Sequence, residues 1–483
     1  MNSNKITIVG GGTAGLISAL ILKNRFPQKN IQIIKSDRID IIGVGEGSTE
    51  HFREFMKYCN ITPYEIIKEC DATIKLGVMF EGWTKIPYFH NIDDRIHSIK
   101  FGQYLASFGY LINQNYNQIE ATNLSYKNNV IELSQLNSNN FLINQFHFNT
   151  FKLNKFLQKK CKEKNITIIN DEIKEVIIKN KNIHKLRGEK FNYISDFFID
   201  CTGFKRLLIS KLNSKWLSYN NFLKLNHAIA FQTEDTENYN TYTLAKAMDY
   251  GWMWRIPVYG RWGNGYIFDD NLINSEQAKI EVEKLLNKKI NVAKDIKFEA
   301  GALEKVWINN CVAVGLSANF VEPLEATSIG TSINQMFLLT HVLENYNQSM
   351  IDDYNNKINY IMENIRDFIF MHYMVEREDT LFWKKIKKIK PPNSLIKKLV
   401  KWNNRLPITD DFKETNYLLF FEKNWASVLW GLGLLDKDKI KKEYNSFSKD
   451  LETYCVSGYK KYKNSLNNLT VTHKKFLETW ITK

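Results

Sequence analysis

Cysteine is scarce: there are six in 483 residues (Cys59, Cys70, Cys161, Cys201, Cys311, Cys455), with no CxxC pair and no metal-ligand spacing to histidine. That excludes a disulfide framework and a zinc module, and a reduced, cytoplasmic protein with no metal site is the expectation. Long apolar runs are missing as well. The nearest one, Ile6 to Leu22, follows a single lysine and is interrupted by four glycines, so it reads as strand, turn and helix, not as a targeting segment. Nothing later is apolar enough to span a bilayer. Internal repeats and low-complexity linkers are absent too, apart from Asn- and Lys-rich loops.

Acidic residues are in the minority, 52 against 66 Lys and Arg, for a formal charge of +14. Such a balance raises the alternative of a basic nucleic-acid-binding protein. The basic residues are nevertheless mostly interspersed with acids. The densest run, Lys384 to Lys398, spaces its lysines around Ile386 and Ile389 as the solvated face of an amphipathic helix would. No aromatic-rich RNA-binding signature accompanies it, and neither a nucleic acid nor a membrane is expected as partner.

What is present suits a folded protein: 44% hydrophobic and 13% aromatic residues argue against disorder. The length calls for one large or two interlocked domains. The chain begins as a βαβ unit, with a strand at Ile6–Val9, a helix from Thr13 to about Asn24 and a strand at Ile31–Ile34. Between the first strand and the helix, Gly10, Gly12 and Gly15 satisfy GxGxxG, with Thr13 and Ala14 inside the turn. Gly10 permits the turn, Gly12 admits a pyrophosphate to the backbone, and Gly15 lets helix pack on strand, so the segment predicts a dinucleotide site. The acid expected near position 35 to hold ribose hydroxyls is replaced by Lys35; Asp37 reaching the ribose and Lys35 meeting a phosphate are both open. From Met336 to about Phe382 apolar residues recur at helical spacing, and the rest of the C-terminal part also reads as helical.

"DFFIDCTGF" (Asp196–Phe204) resembles the second FAD-contacting strand of flavoprotein monooxygenases, with Asp200 and Gly203 at its turn; on its own it is also an ordinary buried strand and turn. "GWMWRIP" matches the WxWxIP signature of flavin-dependent halogenases, the tryptophan-halogenase-like family, through Trp252, Trp254, Ile256 and Pro257. Matching segments lie in the same order along the chain. They are "IGVGEGS" (Ile42–Ser48), "IKLGVMFEGW" (Ile74–Trp83), "WINNCVAVGLSANFVEPLEATSIG" (Trp307–Gly330), "ENIRDFIFMHY" (Glu363–Tyr373) and "REDTLFW" (Arg377–Trp383). A weaker match is "NWASVLWGLG" (Asn424–Gly433).

The resemblance implies an α/β fold: the FAD-binding Rossmann-like fold of aromatic hydroxylases, with residues 1–345 as the FAD-binding and catalytic domain and 346–483 as a mainly helical substrate-covering subdomain. It implies FAD, used as FADH2, and a halide ion as cofactors. A separate NAD(P)H-dependent flavin reductase supplies the reduced flavin, and the protein is expected to be a homo-oligomer. Reduced FAD and oxygen convert halide to hypohalous acid, which travels through a tunnel to an aromatic substrate. Gly45, Glu46, Leu316 and Ile329 join the cofactor set. Trp252, Trp254 and Pro257 line the flavin-side tunnel, and the two rings fill the space where a monooxygenase would admit its substrate. Without the neighbouring matches, paired tryptophans are more often simple core.

By the same resemblance Lys75 is the catalytic lysine, acting by hydrogen bond or as a haloamine. Glu325 is the active-site carboxylate, with Glu322 as its rival, and the Thr327 and Ser328 amides hold the halide. His90 is a candidate for the aromatic pocket, although an ordinary hydrogen-bonded histidine is the blander reading; His147 is a weaker candidate. Phe421 and Trp425 complete the proposed pocket. The stretch Asn416–Gly433 has no evident clamp for an amino acid, so an indole or phenol other than free tryptophan is the expected substrate. A flavin monooxygenase or other flavin oxidoreductase on the same fold is the enzymatic alternative.

Overall fold

The computed structural model describes residues 4–43, 47–92, 129–132, 145–235, 238–454, 456, 457, 464 and 470–482. Two sheets organise these residues. The first has six strands, in the order Trp307–Ile308, Cys311–Ala313, Phe197–Asp200, Lys5–Val9, Asn30–Lys35 and Thr167–Asn170. All its pairings are parallel except the outermost, between Trp307–Ile308 and Cys311–Ala313. A parallel sheet is covered on both faces, which is why Ile6, Ile8, Ile31, Ile33, Phe197 and Ile199 form short runs of β-branched and aromatic residues, all buried. The helix Thr13–Arg25 leaves the end of the central strand, so its start and the turn before it face the crevice at the strands' carboxyl ends.

Gly10 adopts φ +118, and a Cβ there would lie 2.1 Å from the Cys201 carbonyl oxygen. Only glycine fits both constraints.

The second sheet has seven strands: Val292–Lys297, His227–Glu234, Arg261–Phe268, Gly251–Val258, Tyr242–Ala247, Gly77–Glu81 and Tyr88–Asn91, in that order. Its pairings are antiparallel except that between Tyr242–Ala247 and Gly77–Glu81. Side chains alternate faces along a strand, so Trp252, Trp254 and Ile256 share one face. Both tryptophans are buried, and their rings lie 6.0 Å apart.

Trp254 depends on the residue opposite it. Gly265 is its register partner, and a Cβ at that position would sit 2.0 Å from the indole. Gly265→Ala is therefore expected to displace the ring and to lower stability by about 1–3 kcal/mol, as overpacking does. Denaturant unfolding checks this, and wild-type stability would contradict it.

The run from Met336 to Phe382 is not one helix. Helix Thr327–Val342 ends, Asn347 caps a new helix Gln348–His372 by accepting from the Met350 N–H, and a third helix spans Leu381–Lys387. The lysine-rich stretch is likewise divided at its two prolines into Leu381–Lys387 and Asn393–Trp402. There Ile386 is buried, while Lys385, Lys387 and Lys398 pair with Asp269, Glu378 and Asp367. The division at 345/346 falls between Val342 and Gln348, yet both stretches contribute to one apolar core. The chain's end also returns to its beginning: Thr470–Thr472 pairs with Val130–Glu132, and Trp480 packs on Tyr64.

The described cysteines, Cys59, Cys70, Cys161, Cys201 and Cys311, are free thiols. Among the described residues no group of His, Cys, Asp and Glu is placed to hold a metal, and no helix is long and apolar enough to cross a membrane.

Candidate active site

A cavity of about 610 Å³ runs between the two sheets. One end is the glycine turn, with Gly10, Gly12, Thr13 and Ala14 on its wall; the same cavity is lined by Trp252 and Trp254, and by Lys75, Glu325, Thr327 and Ser328. The residues at the turn fit a dinucleotide. Gly12 starts the helix with no side-chain cap, and a Cβ on it would meet nothing within 4 Å, so the first helical N–H groups face open space.

Lys35 lines this end of the cavity with its stem against Gly11, and its ammonium pairs with Asp37, which Asn170 also holds. Leu316, Ile329 and Gly203 are on the wall too. Gly45 and Glu46 lie outside the described residues.

Asp200 departs from its expected place at the cofactor. It is fully buried, and its carboxylate accepts from the Thr202 N–H and hydroxyl, the Leu208 and Ile209 N–H groups and the Ser317 hydroxyl. The carboxylate thus builds the turn, and the neighbouring Cys201, Thr202 and Gly203 meet the cavity. Pro257 is likewise off the wall, its carbonyl accepting from the Thr73 hydroxyl at 2.6 Å.

Lys75 bridges the short strand Thr73–Ile74 and the sheet strand Gly77–Glu81. It is 2% exposed, and its Nζ donates to the Ser48 carbonyl at 3.0 Å. Burial pushes its pKa down to about 8, against the opposing pull of the Glu325 charge. The unfolded chain, with the ordinary value of 10.5, therefore binds more protons than the folded one between about pH 8 and 10.5. Lys75→Met is expected to stabilise the fold at pH 7 by about 1–3 kcal/mol. Its advantage should shrink as pH rises through that window. Paired unfolding curves test this, and a pH-independent difference would contradict it.

Glu325 is held in an uncommon conformation. Its φ is 67, and Ala326 follows at φ 55, two successive left-handed residues before helix Thr327–Val342. Such positions each cost about 1–3 kcal/mol and persist where surroundings enforce them. The strained pair turns the chain so that Glu325 and the uncapped helix start are on one wall. The free amides of Thr327 and Ser328, at the positive end of a 16-residue helix, suit a small anion.

Two histidines flank the Glu325 carboxylate: His90 Nδ1 lies 2.8 Å from Oε2, and His372 Nε2 lies 3.4 Å from Oε1. Burial pushes the Glu325 carboxyl up, but the two histidines, His90 foremost, outweigh it and hold it well below the usual carboxylate range. His90 is itself buried, 5.5 Å from the Phe368 ring and 6.4 Å from Phe420. His147 stands behind Lys75. It contacts the Thr243 hydroxyl at 2.7 Å, and burial together with the Lys75 charge pushes its pKa well down.

The rival carboxylate has a different task. Glu322 is buried off the cavity wall, where it accepts from Trp252 Nε1 at 3.0 Å and from the Tyr373 hydroxyl at 2.5 Å. Burial raises it to about 7. It braces Trp252 from behind.

Contrary to expectation, Trp425 and Phe421 do not line this cavity. Trp425 is fully buried in an aromatic cluster with Phe368 and Trp402, each 5.0 Å away, because its helix Glu422–Gly431 turns that face to the core. Phe421 packs on Phe412 and is not on the cavity wall. Sequence reasoning did not single out His372, Tyr88, Ser48 or Asn424. His372 stood within the quoted "FMHY" match, which was its only signal.

Known proteins resemble this chain over most of its length. A family model described as tryptophan halogenase matches residues 5–445. The chain is 27% identical over 455 residues to tryptophan 6-halogenase SttH of Streptomyces toxytricini, covering 85% of this chain and 86% of that one. To tryptophan 7-halogenase RebH of Lentzea aerocolonigenes it is 28% identical over 478 residues, covering 89% and 90%. Among solved structures, Tar14, a tryptophan C-6 flavin-dependent halogenase from taromycin biosynthesis, superposes with a TM-score of 0.88 at 25% identity over 99% of both chains. Xcc4156, a flavin-dependent halogenase from Xanthomonas campestris, does so with a TM-score of 0.87 at 25% identity and the same coverage.

Proposed function

The chain belongs to the tryptophan halogenase family of flavin-dependent enzymes, and from that premise we propose that it installs halogen on an electron-rich indole or phenol other than free tryptophan. The reading is carried by one observation: Lys75 and Glu325 are buried on the wall of the same cavity that begins at the dinucleotide turn.

Gly10, Gly12, Thr13 and Ala14 would hold the FAD pyrophosphate, with Leu316, Ile329 and Gly203 beside them. When bound, reduced FAD with oxygen supplies the two-electron oxidation of halide to hypohalous acid, and a separate NAD(P)H-dependent reductase supplies the reduced flavin. Thr327 and Ser328 present their amides to the halide. Trp252 and Trp254 occupy the wall and keep a bulky arene away from the flavin end. Lys75, anchored on the Ser48 carbonyl, holds the oxidant and orients its halogen. Glu325, ionised between two histidines, stabilises the cationic arene and takes the proton that leaves the carbon as the halogen bonds to it. Water is the other product.

The named relatives act on tryptophan, so free tryptophan is the competing substrate. The test supplies FAD, a reductase, NADH and each halide in turn to a panel of indoles, phenols and free tryptophan, and reads products by mass. Replacement of one hydrogen by one halogen on an indole or phenol, only when halide is present, is expected. Oxygen addition without halide would support the monooxygenase alternative instead, and turnover of tryptophan alone would overturn the substrate assignment. The nucleic-acid alternative is set aside, because the family model accounts for nearly the whole chain.

A further inference from the structure

The two contacts on His90 come from opposite sides of its ring, and together they decide where its proton sits. Asn424 lies in the first turn of helix Glu422–Gly431, where its Oδ1 accepts the Phe421 N–H at 2.9 Å. The backbone thus sets the direction of the amide. Its Nδ2, which can only donate, is turned to His90 Nε2 at 3.1 Å. A donor facing Nε2 requires the lone pair there, so the ring proton belongs on Nδ1, the atom 2.8 Å from Glu325 Oε2.

We propose that Asn424 is a positioning residue: it fixes His90 as the neutral Nδ1–H tautomer and, through it, keeps the Glu325 carboxylate ionised at the reacting end of the cavity. An imidazole already protonated on Nδ1 and blocked at Nε2 cannot draw off the proton that Glu325 takes from the arene. With the opposite tautomer, a lone pair would face the carboxylate and drive Glu325 toward its protonated, inactive form. The contribution to turnover rests on the halogenase reading; the tautomer itself does not.

Other charged and titratable groups surround the pair. The Lys75 charge and that of Glu325 act on each other, and His372 sits 3.4 Å from the second carboxylate oxygen, with the Tyr88 hydroxyl behind it at 2.9 Å from Nδ1. Glu50, which is itself near Lys423, senses His90 from the helix that starts at His51. The rings of Phe368 and Phe420 lie 5.5 and 6.4 Å from that of His90.

The experiment reads histidine ring nitrogens by long-range ¹H–¹⁵N spectroscopy in protein labelled with ¹⁵N-histidine, with the His90 signals assigned by their loss in His90→Gln. Wild type is expected to carry the His90 proton on Nδ1 with Nε2 unprotonated. Asn424→Asp keeps the side-chain shape but can only accept, so His90 should become doubly protonated between two carboxylates. Single-turnover halogenation in that variant should fall about tenfold or more, because a charged ring lowers the basicity of the carboxylate that must take the arene's proton, while FAD affinity and KM for the arene stay the same. Asn424→Ala should leave both tautomers populated.

An Nε2–H signal in wild type overturns the proposal, as does an unchanged rate in Asn424→Asp once His90 is doubly protonated. An Nδ1–H signal in a wild-type protein that halogenates nothing supports the tautomer and counts against the halogenase reading instead.

Discussion

Lys75→Ala is expected to lower halogenated product by about 10³-fold or more, at saturating reduced FAD, while FAD binding is unchanged. Such a factor is roughly 4 kcal/mol of transition-state stabilisation. The size follows from position. The ammonium is buried, anchored on the Ser48 carbonyl and within electrostatic reach of Glu325. Alanine keeps the link between the two strands but removes the ammonium, and with it the group that holds the oxidant. The dinucleotide turn is built by other residues at another part of the cavity, so a FAD titration should not change. Loss of FAD binding together with activity would mean a general collapse of the site, and undiminished product would remove the lysine from the chemistry.

The second large effect is at Glu325. Glu325→Gln should slow single-turnover halogenation by about 10²–10³-fold, because the amide can neither stabilise a cationic arene as an anion does nor take its proton. The substitution keeps the side-chain shape, so the strained backbone at 325 and 326 and the start of the following helix are preserved. Glu322→Gln provides the contrast. It alters the brace behind Trp252 but leaves the carboxylate on the cavity wall intact. Equal rates for wild type and Glu325→Gln would refute the proposed role.

Much of the architecture was legible before any coordinates because it is dictated by backbone sterics. The glycine turn and its flanking elements fall within a residue of their expected limits, since Gly10 and Gly15 leave few alternatives. The paired tryptophans occur on a strand whose alternation puts both rings on one face, and that periodicity is visible in "WMW" itself. What was not legible depends on partners distant in sequence. Asp200 looked like a cofactor ligand because it ends a strand beside a turn, yet five donors from residues 202 to 317 consume its carboxylate. Trp425 looked like pocket surface and is core, because Phe368 and Trp402 close over it. The flanking of Glu325 by His90 and His372 joins three separate elements, and no local pattern announces it. The helix break near residue 345 hid within continuous apolar spacing, where a single asparagine cap decided the outcome.

The separation of oxidant formation from its use is tested most directly by competition. Wild type and Lys75→Ala are each given reduced FAD, halide, the arene and a soluble scavenger of hypohalous acid, and the halogen recovered in each acceptor is measured by mass. Wild type should deliver most of its halogen to the arene, and Lys75→Ala should deliver it to the scavenger, with total oxidant formed little changed. An unchanged division between arene and scavenger in the variant would contradict the idea that oxidant is handed along the cavity to Lys75.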